Sequence, residues 1–177
     1  MKIIVIGGVA GGATAIARLR RLSEDVEIIL LEIGNYVSFA NCGLPYYVGG
    51  TIEDRDDLFV TTAKDIEEKY AVDVRVNNEV IKINREDMNV LVRDNLSGEE
   101  YELDYDKLLI STGSHPFVPN PEVLKHENVF TLWNVNDVDK IKSYIEENKP
   151  KNTIVVGAGF IGLEMVENLV DLGINTS

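Results

Sequence analysis

An α/β fold is what the sequence predicts: a doubly wound parallel sheet with an inserted antiparallel β-meander, followed by the first β-α step of a second such sheet. Three observations predict it. A β-branched run, Lys2-Ile3-Ile4-Val5-Ile6, passes directly into Gly7-Gly8-Val9-Ala10-Gly11-Gly12 and then into helical periodicity. Short alternating strands around a turn signal interrupt the middle of the chain. A second apolar run then leads into Gly157-Ala158-Gly159-Phe160-Ile161-Gly162. Strand, glycine turn and helix in that order begin a βαβ unit, whose strands are buried on both faces and read as unbroken apolar runs.

In the first unit, Ala15, Ile16, Leu19 and Leu22 fall at helical spacing within residues 13–22, and Val26 to Leu31 is a second buried strand that ends at Glu32. This is a dinucleotide-binding layout. Glycines allow a tight turn and close approach of a pyrophosphate to the backbone, and the helix N-terminus supplies partial positive charge. Glu32 lies 20 positions after Gly12, where an acid accepts hydrogen bonds from a ribose. The motif departs from G-x-G-x-x-G at its middle position, Val9. A glycine turn can also serve only helix packing, but strand, turn, helix, strand and terminal acid at the expected offsets favour the nucleotide reading.

Residues 34–60 read as loop with one short helix beginning near Cys42, the only cysteine. Taken alone, a free cysteine is more often a small buried hydrophobe than a reactive group. At a helix N-terminus it would face unpaired N–H groups and the helix dipole, which favour a nucleophilic sulfur. Ser38 and Asn41 stand beside it as possible hydrogen-bonding groups, while Tyr46 and Tyr47 read as packing residues.

Residues 61–70 form an amphipathic helix with Ile66 and Tyr70 on one face. Residues 72–76 and 79–83 alternate as half-exposed strands do, and residues 90–92 and 101–103 flank the turn signal Asn95-Leu96-Ser97-Gly98, which gives the antiparallel meander. Residues 105–114 return to a buried strand ending in Ser111-Thr112-Gly113; such small residues admit a ligand or simply a sharp turn. A surface helix over residues 136–147 turns Val138, Ile141 and Ile145 inward, and residues 149–152 read as a linker. Residues 153–156 are then a strand, Gly157, Gly159 and Gly162 complete a second nucleotide motif, residues 163–172 a helix, and Gly173 its stop. The expected division is 1–149 for the first domain and 150–177 for the truncated start of the second. One strand and one helix cannot bury their apolar faces alone, so the chain reads as an N-terminal fragment.

A formal charge of −13 argues against nucleic acid, which wants clustered Lys and Arg. The basic exception is Arg18-Leu19-Arg20-Arg21. No apolar run approaches the ~20 residues of a membrane helix, and Ile3 to Ile6 is too short for a signal-peptide core, so a cytoplasmic protein is expected. His115 and His126 have no cysteine or acidic cluster at ligand spacing, and no metal site is expected.

The segments GGVAGGATAIARLRRL, SFANCGLPYYVGG, YDKLLISTGSHP and VVGAGFIGLE together resemble the single-cysteine branch of the pyridine nucleotide-disulfide oxidoreductases, over nearly the whole chain. The resemblance implies an FAD site lined by Gly7, Gly8, Val9, Ala10, Gly11, Gly12, Glu32, Val80, Ser111, Thr112 and Gly113, and NADH or NADPH as co-substrate at Gly157, Gly159 and Gly162. It also implies that Cys42 is the redox centre, alternating between thiolate and a mixed disulfide with coenzyme A. Ser38 and Asn41 would lie beside the sulfur, with Arg18 and Arg21 near the coenzyme A phosphates. For each arginine a solvated helix face is an equally open reading. The implied substrate is coenzyme A disulfide or a related low-molecular-weight disulfide, with persulfide or polysulfide close behind, and the intact protein would be a homodimer. An NADH oxidase or peroxidase working through a Cys42 sulfenic acid is the alternative; those relatives usually carry a histidine in the first glycine turn, where this chain has Ala10. Trp133 stands where the family commonly has an arginine, which puts any contact of that side chain in doubt. A non-catalytic, truncated flavin-binding module is the reading from another class. The 177-residue chain alone is expected neither to turn over nor to hold FAD tightly.

Overall fold

A computed structural model describes all of residues 1–177. In chain order its elements are β1 (Lys2–Ile6), α1 (Gly11–Leu22), β2 (Glu27–Glu32), α2 (Leu44–Gly49), α3 (Ala63–Tyr70), β3 (Asp73–Val76), β4 (Asn78–Asn84), β5 (Asn89–Asp94), β6 (Glu100–Asp104), β7 (Lys107–Ile110), α4 (Val135–Asn148), β8 (Asn152–Thr153), α5 (Phe160–Asp171) and β9 (Asn175–Thr176). Single 3-10 turns lie at Asn41–Gly43, Arg55–Leu58 and Pro121–Lys125. The chain divides into two compact units, residues 1–39 with 60–113 and residues 40–59 with 114–177.

The first unit is built on a parallel sheet of order β3-β2-β1-β7. Because successive side chains on a strand face opposite ways, β1 and β2 split their apolar residues between two layers. Ile3, Val5, Ile28 and Leu30 face α1 and α3, meeting Ile16, Leu19 and Ile66. Ile4, Ile6, Ile29 and Leu31 face the antiparallel meander β4-β5-β6, meeting Val80, Val90, Val92, Tyr101 and Leu103. Both faces of the central strands are thereby covered, which is why they read as unbroken apolar runs. The strand order reverses between β1 and β7, and in a doubly wound sheet ligands bind at the carboxyl ends of the strands beside such a switch.

Two strand expectations are corrected in this unit. The strand at residues 72–76 is an edge of the parallel sheet, paired only with β2, and does not belong to the meander. Residues 105–114 do not form a buried strand: β7 covers only Lys107–Ile110, at the other edge, and Ile110 is 60% exposed. An apolar run reports the chance to be buried, not the presence of a neighbour on each side, and β7 pairs only with β1.

In the second unit α2, α4 and α5 pack together, with Leu44, Tyr47, Val48, Val138, Ile141, Met165 and Leu169 buried. The strand expected at residues 153–156 is reduced to β8, parallel to β9. Ile154 and Val156 are 77% and 95% exposed, because β9 is the only strand beside them and nothing covers their faces.

Candidate functional site

The first glycine turn is built at the end of β1. Gly7 has φ +93°, a region that side chains other than glycine's avoid, and its N–H donates to the Leu31 carbonyl. A Cβ on Gly7 would overlap the Ser111 carbonyl oxygen, and one on Gly12 would overlap the Gly7 carbonyl oxygen. The first glycine thus makes the turn and the last brings α1 down on it, as the motif requires, whatever stands at Val9. A Cβ on Gly8 would sit 2.9 Å from Val37 Cγ1, so the turn is hemmed in from the side as well. Ser38, at φ +48°, donates its N–H to the Gly8 carbonyl and accepts from the Val60 N–H.

Glu32 is buried and its carboxylate is already engaged: Oε2 accepts from the Gly8 N–H at 2.7 Å and Oε1 from the Gly34 N–H at 2.8 Å. The acid at the end of β2 therefore clamps the glycine turn itself. Each carboxylate oxygen retains a further acceptor site. Ser111 holds the same turn from the other side, its Oγ donating toward the carbonyls of Ile6 and Gly7 at 3.0 Å each. The Ser111 hydroxyl is thus engaged within the protein. Gly113 has φ +65° and open space around it, and Thr112 lies between them. Val80 packs its side chain against the meander face of the sheet and pairs with Val92 just before a bulge in the β4–β5 pairing.

The four-residue stretch on α1 divides by role. Arg20, which sequence reasoning passed over, donates to the carbonyls of Tyr70, Ala71 and Glu24 and so pins the end of α3 to the end of α1. Arg18 and Arg21 are exposed and make no hydrogen bond or ion pair.

In the second unit, Cys42 is exposed. A short helix begins beside it as expected, with Cys42 in the 3-10 turn Asn41–Gly43 that leads into the six-residue α2. Pro45 at the start of α2 fixes where the helix begins. The turn is held by Ala40, whose N–H donates to the Leu58 carbonyl at 2.7 Å and whose carbonyl accepts from the Gly43 N–H at 2.8 Å. A Cβ on Gly43 would lie 3.1 Å from Ile52 and 3.3 Å from Leu58, so the residue after the cysteine is tightly enclosed and a side chain there would need both to give way slightly. Asn41 is exposed beside it. Tyr47 packs: its ring lies beneath the Lys142 ammonium, which also donates to its carbonyl at 3.1 Å, and burial, aided by the Asp139 carboxylate, pushes the phenol up. Arg55 makes a two-pronged bond to Asp139, tying the loop behind Cys42 to α4.

The second glycine turn repeats the first in its physics. Gly157 has φ +116°, and a Cβ on Gly162 would overlap its carbonyl oxygen. Gly159 caps α5 with open space around it. No group of three or more His, Cys, Asp or Glu side chains is placed to hold a metal ion. No helix is long and apolar enough to cross a membrane.

Comparison with known proteins gives a consistent result. The family model described as pyridine nucleotide-disulphide oxidoreductase matches residues 1–177. The coenzyme A disulfide reductase of Staphylococcus haemolyticus (strain JCSC1435) is 41% identical over 176 residues, which cover 99% of this chain and 39% of that protein. The crystal structure of reduced Bacillus anthracis CoADR-RHD superposes with a TM-score of 0.96 at 50% identity, covering 99% of this chain and 32% of that one. An NAD-dependent persulfide reductase from A. fulgidus superposes with a TM-score of 0.92 at 38% identity, covering 99% and 33%. The chain therefore spans well under half the length of the relatives it matches.

Proposed function

Since the chain belongs to the pyridine nucleotide-disulphide oxidoreductases, we propose that it carries the flavin-binding turn and the redox-active cysteine of an FAD-dependent enzyme that reduces coenzyme A disulfide with NADH or NADPH. The observation that carries this reading is Cys42: the only thiol, exposed on a tightly braced turn, in a chain that also builds two dinucleotide turns. The similarity to a coenzyme A disulfide reductase across 99% of the chain supports the substrate class.

The first turn fits a dinucleotide, because the bare Cα atoms of Gly7 and Gly12 close the cradle and the α1 N-terminus has no side-chain cap to compete for its N–H groups. Gly7 to Gly12, Glu32, Val80 and the residues 111–113 would hold FAD, and Gly157, Gly159 and Gly162 the nicotinamide nucleotide. Bound FAD would supply two-electron transfer from the nicotinamide to sulfur. The chain's own step is thiol-disulfide exchange. The Cys42 sulfur attacks one sulfur of coenzyme A disulfide, a Cys42–S–S–CoA bond forms, the substrate S–S bond breaks, and one coenzyme A leaves as thiolate and takes a proton. Two electrons then cleave the mixed disulfide, restoring the Cys42 thiolate and releasing the second coenzyme A. Arg18 and Arg21, unpaired, would meet the coenzyme A phosphates, and Ser38 and Asn41 would flank the sulfur. We further propose the division at residues 149 and 150, a cytoplasmic location and a homodimer for the whole protein.

Coenzyme A persulfide or polysulfide is the second reading, favoured by the likeness to the persulfide reductase. Oxygen or peroxide is disfavoured because Ala10 offers no proton in the first turn. NAD(P)H consumption by the whole protein with coenzyme A disulfide, polysulfide and oxygen in turn separates these. Cys42→Ser is expected to abolish disulfide reduction while changing stability by less than about 0.5 kcal/mol, as an exposed position should. Disulfide reduction that survives this change overturns the reading.

A further inference from the structure

A buried asparagine on α5 faces a bare glycine on α2. Asn168 is only 4% exposed, and its Nδ2 donates to the Glu164 carbonyl one turn back at 2.8 Å. Asparagine is rarely so buried, and a side chain bonded to its own helix backbone adds nothing to helix stability. What explains it lies across the contact. A Cβ on Gly49 would overlap Asn168 Oδ1 and come within 2.8 Å of its Cβ and Cγ. Gly49 is not there for its backbone: the left-handed cap of α2 is taken by Gly50, at φ +84°, while Gly49 remains in the helix. Its absence of a side chain therefore serves the close approach of Asn168.

The two helices joined by this contact carry the two functional segments of the second unit. Cys42 stands in the turn that leads into α2, and Gly157 to Gly162 form the turn that opens α5. At a rise of about 1.5 Å per residue, Asn168 is ~13 Å along α5 from Gly159 and Gly49 is ~8 Å along α2 from Leu44. One side-chain knob in one glycine notch thus connects them through rigid helix.

We propose that Asn168 and Gly49 are a positioning pair that fixes the Cys42 segment relative to the nucleotide-binding turn. Neither touches substrate; both act through α2. The inference rests on the reading of Cys42 as the redox sulfur. A misplacement of about 1 Å at a reacting group can lower a rate on the order of 100-fold, and a methyl at Gly49, 2.8 Å from Asn168 Cβ, fits only if α2 or α5 gives way.

The test uses the whole protein. Gly49→Ala should lower kcat for disulfide reduction on the order of 10- to 100-fold with KM for the nicotinamide nucleotide nearly unchanged. It should also change the rate at which Cys42 in the folded protein reacts with an aromatic disulfide reagent. Adding Asn168→Gly removes every Asn168 atom in the clash, so the double variant should recover most of both rates; a non-additive cycle of this kind is the signature of direct contact. Asn168→Ala, which adds no atom, carries the same comparison if Gly49→Ala does not fold. A lowered melting temperature with kcat and thiol reactivity unchanged would make the contact merely structural and overturn the proposal. If Cys42→Ser itself keeps disulfide reduction, the reading of the sulfur fails first, and the thiol-reactivity cycle still reports on the pair.

Discussion

Gly7 and Gly113 both have positive φ, at +93° and +65°, but different demands put them there. Around Gly113 there is nothing within 4 Å of an added Cβ, so alanine pays only the left-handed backbone cost of roughly 1–2 kcal/mol. At Gly7 the same methyl would overlap the Ser111 carbonyl oxygen, backbone that cannot move aside. Urea unfolding should therefore show a modest loss for Gly113→Ala and, for Gly7→Ala, a loss beyond the ~3 kcal/mol that bounds ordinary substitutions. Equal losses would mean that conformation alone selects glycine at both. Of the residues that build the first turn, the glycines and the acid at the end of β2 stand out in the sequence because their offsets are local, but that Glu32 bonds the turn itself does not. The Ser111 hydroxyl bonded to Gly7, and Gly49 facing Asn168, are not legible there, because each pairs residues more than 100 positions apart. Arg20 was hidden differently: three arginines in four residues look alike until α3 arrives to accept from one of them.

Helix α3 shows what capping can do at the level of an element. Thr62 accepts from the Asp65 N–H, and the Asp65 carboxylate accepts from the Thr62 N–H and hydroxyl, a complete capping box. The Thr62 hydroxyl, then its N–H, hold the Asp65 carboxyl below the ordinary value of 3.8. A carboxylate whose folded pKa is depressed contributes stability above its unfolded pKa, and that contribution disappears as pH falls through the folded value. Thr62→Ala should lower the melting temperature at neutral pH, and the gap to the parent chain should narrow as pH falls below 3.8. A gap independent of pH would place the loss in the threonine alone. The elements themselves were read well wherever local chemistry decides them: β1 falls on residues 2–6 as expected, and α3 begins where its cap stands. They were misread where tertiary neighbours decide. β7 and the run at residues 153–156 have the apolar composition of core strands, but β7 pairs only with β1 and β8, all that forms of the second run, only with β9, and composition cannot count neighbours.

For the molecule as a whole, charge and exposed apolar surface oppose each other. The second unit leaves Phe117 and Phe160 each 87% exposed and Val156 95% exposed. A formal charge of −13 holds copies of the chain apart. That repulsion reaches about 10 Å at 0.1 M salt and only about 3 Å at 1 M, whereas apolar contact does not weaken with added salt. The 177-residue chain should accordingly self-associate more strongly as sodium chloride rises from 0.1 to 1 M, seen as a growing weight-average mass in sedimentation velocity. Phe160→Glu, which replaces an exposed ring by a charge without touching the buried face of α5, should shift the onset to higher salt and protein concentration. A chain that stays monomeric at every salt concentration would show that these residues are too dispersed to form a common surface. If instead association weakens as salt rises, charged rather than apolar contacts hold the copies together, and Phe160→Glu should then have no effect on the onset.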